Sequence, residues 1–149
     1  MYRSIIAALL LATAATGAAV PTAQAQTANG ALTIEISGLQ PQGQVMIQVF
    51  ASEADYAAGR AAANRIIPVD AATEQVRFEG LTAGPVAFRL FHDLNSDNRM
   101  NTNPFGIPTE PFAFSNNARG SFGPASWSQA VFTLNAGDNV QQIALGGSQ

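Results

Sequence analysis

The chain contains no cysteine, no lysine, a single histidine and a single tryptophan in 149 residues. Without cysteine, no disulfide can close a loop, and no lipid can be attached through a lipobox thiol. With His92 as the sole imidazole, zinc sites of the usual His and Cys composition cannot be assembled. The basic residues are all arginine: Arg3, Arg60, Arg65, Arg77, Arg89, Arg99 and Arg119. They are scattered along the chain on a net charge of −3. Nucleic acid and anionic membrane surfaces therefore find no basic patch here, and no nucleic-acid partner is expected. Only one apolar run has any length, and it lies at the N-terminus.

That run reads as a secretory signal peptide over residues 1–25. Arg3 supplies the positive end, Ile5 to Leu11 the apolar centre, and Ala23-Gln24-Ala25 the small-x-small cleavage pattern. An uncleaved N-terminal anchor is the alternative, but the run is short, rich in alanine and followed by Pro21. Cleavage removes Arg3 and makes the net charge one unit more negative. It leaves roughly 120 residues, enough for one domain that buries about two-thirds of its unfolded surface. No second run approaches membrane length, so the mature protein is expected to have no membrane span and to be periplasmic or secreted.

Residues 26–30 read as a polar, disordered tether, and 31–149 as a single domain. Leu32, Ile34 and Ile36 alternate with Thr33, Glu35 and Ser37, and Val45, Ile47 and Val49 repeat the pattern after a turn at 38–43. The period of two predicts strands, and residues 32–50 read as an antiparallel hairpin. Ser52 with Asp55 three residues on predicts a capped short helix in the alanine-rich stretch 52–63. Residues 64–70 suit an edge strand that tolerates Pro68. Further strands are expected at 76–80, 86–92, 130–134 and around Ile143 and Leu145. In the 86–92 strand, Val86, Phe88, Leu90 and His92 share the apolar face, and Arg89 marks the other as partly solvated. The expected fold is all-β: an antiparallel β-sandwich of about seven strands, with one short helix and a long loop.

The segment Asp93-Leu94-Asn95-Ser96-Asp97-Asn98-Arg99-Met100-Asn101 carries oxygen side chains at its first, third, fifth and ninth positions. Calcium takes six to eight oxygens, and a tightly turning loop with this spacing can aim alternate side chains inward. The candidate ligands are Asp93, Asn95, Asp97, the carbonyl of Arg99, Asn101 and, as the nearest later carboxylate, Glu110. Asn98 stands where such a loop usually has glycine, and Pro104 where a helix-loop-helix site has its bidentate glutamate. With two certain carboxylates, a dissociation constant of roughly 10⁻⁴–10⁻³ M is expected. The competing reading is turn chemistry, because Asp and Asn cap turns by bonding their own backbone.

Residues 102–127 form a second candidate: Phe105, Phe112, Phe114, Phe122 and Trp127 among four prolines. They can form a platform for a glycan or peptide, or fold back and plug the open end of a sandwich. A hydrolase or carbohydrate-acting enzyme using His92, Asp93 and Asp97 is the alternative function. Ser115 and Ser121 are the serines a histidine base could activate, but neither sits in a nucleophile-elbow motif, and no catalytic residue is assigned.

Residues 78–134 carry His92-Asp93-x-Asn95, Phe105-Gly106-x-Pro108-x-Glu110, Phe114-Ser115-Asn116-Asn117 and Phe122-Gly123-Pro124. This run resembles the core signature of an exported bacterial family, domain of unknown function 2141. The resemblance implies export and a transthyretin-like or immunoglobulin-like sandwich, and it brings no activity. The family more often has a second glycine and an aspartate late in the loop, where Asn98 and Asn101 stand here. The combined expectation is an exported binding or structural module of the cell envelope, stabilised by calcium in the 93–101 loop. Its partner would be an envelope protein or a glycan.

Overall fold

The computed structural model describes residues 28–145, so the leader read at 1–25 lies outside the described residues. The strands are β1 (Asn29–Ser37), β2 (Gln44–Phe50), β3 (Ala63–Pro68), β4 (Thr73–Thr82), β5 (Gly84–Asp93), β6 (Phe112–Phe114), β7 (Phe132–Leu134) and β8 (Gly137–Ala144). Helix α1 spans Glu53–Ala58, a 3-10 turn Ser115–Asn117, and α2 Trp127–Ala130. Asn29 and Gly30, read as tether, already belong to β1.

Two sheets face each other. The smaller has the order β4-β1-β8. The larger has the order β3-β2-β5-β6, with β7 also paired to β5. Leu32, Ile34 and Ile36 from β1 meet Val45, Ile47 and Val49 from β2, and Val86, Phe88 and Leu90 from β5, in one core between the sheets. Each such side chain, fully removed from water, stabilises the fold by roughly 1.5–3 kcal/mol.

Strands 1 and 2 are not a hairpin. They lie in different sheets, so residues 38–43 form a crossover. Alternation marks which face of a strand is buried but not which neighbour it bonds. Here Leu39 is drawn into the core with its N–H still held by the Ala72 carbonyl ahead of β4, and on the far side of the crossover the Gly43 carbonyl accepts the Val69 N–H. Gly43 has a positive φ of 69°, and a Cβ there would collide with the Asp93 carbonyl. The crossover thus lies directly against the end of β5.

Nor is the sandwich wholly antiparallel. β8 pairs with β1 in parallel, from Gly30↔Gly137 to Ser37↔Ala144. The reason is directional: β7 runs antiparallel to β5, and the chain then crosses to the small sheet and returns alongside β1.

The segment read at 102–127 contains the strand β6, and β7 falls within the strand expected at 130–134. β6 and β7 both pair with the same edge of β5, β6 at Arg89–Phe91 and β7 at Gly84–Val86. They are two halves of one edge line, interrupted by residues 115–131. That insertion folds over the outer face of the larger sheet and builds a second core from Phe50, Tyr56, Ala87, Phe114, Ala125 and Ala130. Trp127 packs edge-on to Tyr56, with ring centres 5.8 Å apart. The face read as partly solvated through Arg89 is covered at Ala87, while Arg89 and Phe91 stay half-buried, Arg89 lying over the Phe50 ring. Helix α1 starts at Ser52, whose side chain accepts from the Asp55 N–H, and stops at Gly59 in the left-handed region.

Candidate functional site

β5 delivers His92 and Asp93 to one end of the sandwich. His92 continues the inward face of Val86, Phe88 and Leu90 and is fully buried. Its Nε2 lies 2.7 Å from the Gln42 carbonyl. A carbonyl only accepts, so Nε2 carries the proton. His92 Nδ1 is the one buried side-chain nitrogen or oxygen without a partner among the described residues.

Asp93 should point outward by alternation, yet its exposure is 0% because the following loop folds back over it. Its Oδ1 accepts the N–H of Asp97 at 3.2 Å, and Oδ2 accepts those of Asn98 at 2.8 Å and the Gln44 side chain at 2.9 Å. The loop can turn this tightly because Ser96 and Asn98 adopt positive φ, 58° and 64°. Asparagine tolerates that conformation better than most residues, which is why Asn98 can replace glycine. Gln44 also donates to Asn98 Oδ1, tying β2 to the loop.

The exposed half of the loop centres on Asp97. Its Oδ1 accepts the Arg99 N–H, and its Oδ2 lies 3.1 Å from Asn95 Nδ2 and 3.0 Å from Asn101 Nδ2. The Asn101 amide holds the Asp97 carboxyl below the usual carboxylate range against an opposing desolvation, with the Asn95 amide, the Arg99 N–H and the Arg99 charge adding to it. Asn95 Oδ1 shares the Asp97 N–H with Asp93. Glu110 closes the loop from the other strand. One oxygen accepts the Leu94 N–H and the other the Asn101 N–H, both at 2.9 Å, and the residue is 4% exposed.

Four of the sequence-predicted oxygen residues, Asp93, Asn95, Asp97 and Asn101, are thus gathered in one turn. Arg99 contributes its N–H to that turn. Glu110 stands at the neck and holds backbone. Among the described residues no group of three or more His, Cys, Asp or Glu converges as a metal cluster would.

Beyond the neck, residues 101–109 form a small hairpin. Thr109 N–H meets the Asn101 carbonyl, Thr102 bridges Pro108, and Asn103 N–H meets the Ile107 carbonyl. Asn103 Oδ1 accepts the N–H groups of Phe105 at 2.9 Å and Ile107 at 3.1 Å. Gly106 takes φ 78° to complete the tip. This ordered finger holds Phe105 at 87% exposure and Ile107 at 49%. The aromatics of the long segment divide accordingly: Phe114 and Trp127 pack in the second core, while Phe105 and Phe122 face solvent.

A family model for bacterial proteins, described as "Uncharacterized protein conserved in bacteria (DUF2141)", matches residues 34–142. The chain belongs to the DUF2141 family. No curated protein and no solved structure matches it. The matched stretch runs from β1 into β8 and includes the whole loop and finger.

The structural roles of several residues in this DUF2141 chain escaped the sequence reading. Gln44 and Asn103 organise the loop and the finger tip. The Asn103-Pro104 dipeptide is a turn signal that could have marked the second. The Ser115-Asn116-Asn117 run bridges the break between β6 and β7. Ser115 Oγ is fully buried, accepts the Phe88 N–H and donates to the Ala130 carbonyl at 2.6 Å. It sits beside Phe88, four residues and about 13 Å along the strand from His92. Asn116 Nδ2 donates to the carbonyls of Ala130 and Val131, and Asn117 pairs with the free edge of β8 at Gln142 and Ala144.

Proposed function

We propose that this chain is an exported, non-catalytic module of the bacterial cell envelope, periplasmic or secreted, that docks an envelope protein through the tip of the 101–109 finger. The observation that carries the reading is the ordered presentation of Phe105. A turn held by its own asparagine keeps a large apolar side chain in water, and burying that side chain on a partner costs little ordering entropy. The groups an enzyme would need support the same reading. His92 and Asp93 lie beneath the surface, and Asp97, though exposed, is engaged by the Asn95 and Asn101 amides and the Arg99 N–H of its own loop. A photo-crosslinking residue at Ile107, in the bacterium that makes the protein, tests it. The expected result is a discrete protein adduct that is lost in the Phe105→Asp variant, with no such adduct from position 65 on β3. Equal labelling from both positions, or an adduct indifferent to Phe105, would sink the idea.

We propose in addition that calcium stabilises the outer half of the loop. The favouring observation is that Asp93, Asn95, Asp97 and Asn101 are gathered in one turn, closed by hydrogen bonds that the Asp97 N–H donates to Asp93 Oδ1 and Asn95 Oδ1. The shell would comprise Asp93, Asn95, Asp97, the Arg99 carbonyl and Asn101, without Glu110. Bound calcium would supply charge that holds the loop, and no chemistry is assigned to it.

A further inference from the structure

We infer that the outer face of the small sheet is a binding site for a neutral oligosaccharide. Glu35 stands at the centre of that face, on β1. Its register partners are Gln75 on β4 and Gln142 on β8. Gln75 Nε2 donates to one carboxylate oxygen at 3.3 Å and Gln142 Nε2 to the other at 3.0 Å. The next row pairs Ser37 with Thr73 and Ala144. A flat face becomes a groove because the 3-10 turn rises beside β8. There Asn117 donates to the Gln142 carbonyl at 2.9 Å and accepts the Ala144 N–H at 3.0 Å, standing in for a further strand. The resulting open cavity is about 670 Å³.

That volume suits a ligand of several rings, and the lining mixes polar side chains with apolar surface. No aromatic residue lines it; of its apolar residues, Ile36 and Ile143 have their side chains in the core and Ala144 faces outward. No basic residue lines it either. Arg77, one row away, is engaged by Asp138, Glu79 and Thr33. Phosphates and acidic polysaccharides therefore have no counter-charge. A metal ion is equally ill-served: Glu35 and Glu74 are the only acids, and Glu74 accepts the Asp70 N–H. What the groove offers is an interleaved array of hydroxyl, amide and carboxylate groups. A sugar hydroxyl both donates and accepts, and each Glu35 oxygen retains acceptor capacity after its one amide contact. The open shape accommodates a chain rather than an enclosed molecule.

The test titrates the purified chain with a glucose tetramer and an N-acetylglucosamine tetramer, followed by amide chemical shifts and calorimetry. Binding by at least one, with a dissociation constant on the order of 1 mM or tighter, is expected. The shifts should cluster at 33–37, 73–77, 117 and 142–144. Glu35→Gln turns one acceptor oxygen into a donor and Gln142→Ala removes an outward-facing amide; each should weaken binding about tenfold with the melting temperature kept. Phe105→Ala should bind the sugar as the parent does, which separates this site from the finger. Absence of binding by both tetramers up to about 10 mM overturns the inference. So do shifts that map elsewhere on the parent chain, affinity unchanged in both variants, or calcium chloride producing the same shifts as the sugar.

Discussion

Asp93 and Asp97 bear the same side chain four residues apart, and their surroundings separate their roles. Asp93 is fully buried, with three donors on its two oxygens. In Asp93→Asn, one oxygen becomes an amide nitrogen that faces an N–H donor. A loss of about 2–3 kcal/mol in urea unfolding is expected, the scale of charged hydrogen bonds left unmade. A loss below about 0.5 kcal/mol would mean that the loop does not depend on this carboxylate. Asp97 is exposed, and its hydrogen bonds, that from Asn101 foremost, lower its pKa from 3.8. The sign follows: a depressed folded-state pKa adds stability above the unfolded value, and that stability is lost as pH falls through the lower folded value. Urea midpoints should therefore fall more steeply below pH 3.8 in the parent than in Asp97→Asn, with the curves parallel at neutral pH. Parallel curves throughout would remove Asp97 from the acid response.

At the scale of elements, the loop and the finger behave as one unit, with Glu110 joining Leu94 to Asn101 across the neck. The calcium proposal is decided here by thermal melts in excess chelator and in millimolar calcium. For a dissociation constant near 0.1 mM and about 10 mM calcium, linkage gives about 2.7 kcal/mol. In a domain this size that raises the melting temperature by roughly 10 °C. The rise should be absent with magnesium and abolished in Asp97→Ala. An unchanged melt would leave residues 93–101 as a turn closed by its own hydrogen bonds. Much of this element was legible: the Asp/Asn spacing marked a tight turn, and period two marked β1, β2 and β5. The role of Glu110 was not, because its partners are N–H groups 16 and 9 residues away, which every residue type supplies equally. Nor was the crossover at 38–43. Leu39 reads as one more apolar residue in a turn until the opposite sheet is present to receive it.

At the scale of the molecule, β5 carries both cores on alternate residues, Phe88 facing the space between the sheets and Ala87 the covered outer face. The interruption between β6 and β7 was invisible in sequence: β7 lies in the strand read at 130–134, but β6 is only three residues long, and no period can be measured over three positions. It decides how the protein unfolds. Residues 115–131 leave the edge of β5 and return to it, and Ser115 Oγ gives the Phe88 N–H the acceptor that the missing edge residue would have offered. Removing the insertion would therefore expose the backbone of the central strand as well as the second core. Trp127 reports on that insertion alone, while far-ultraviolet circular dichroism reports on both sheets. Their urea transitions should coincide at one midpoint, as a two-state unit requires. A tryptophan transition at clearly lower urea would instead make the insertion an independent cover, loosely held to a sandwich that survives without it, and Ser115→Ala would then leave the main transition where it was.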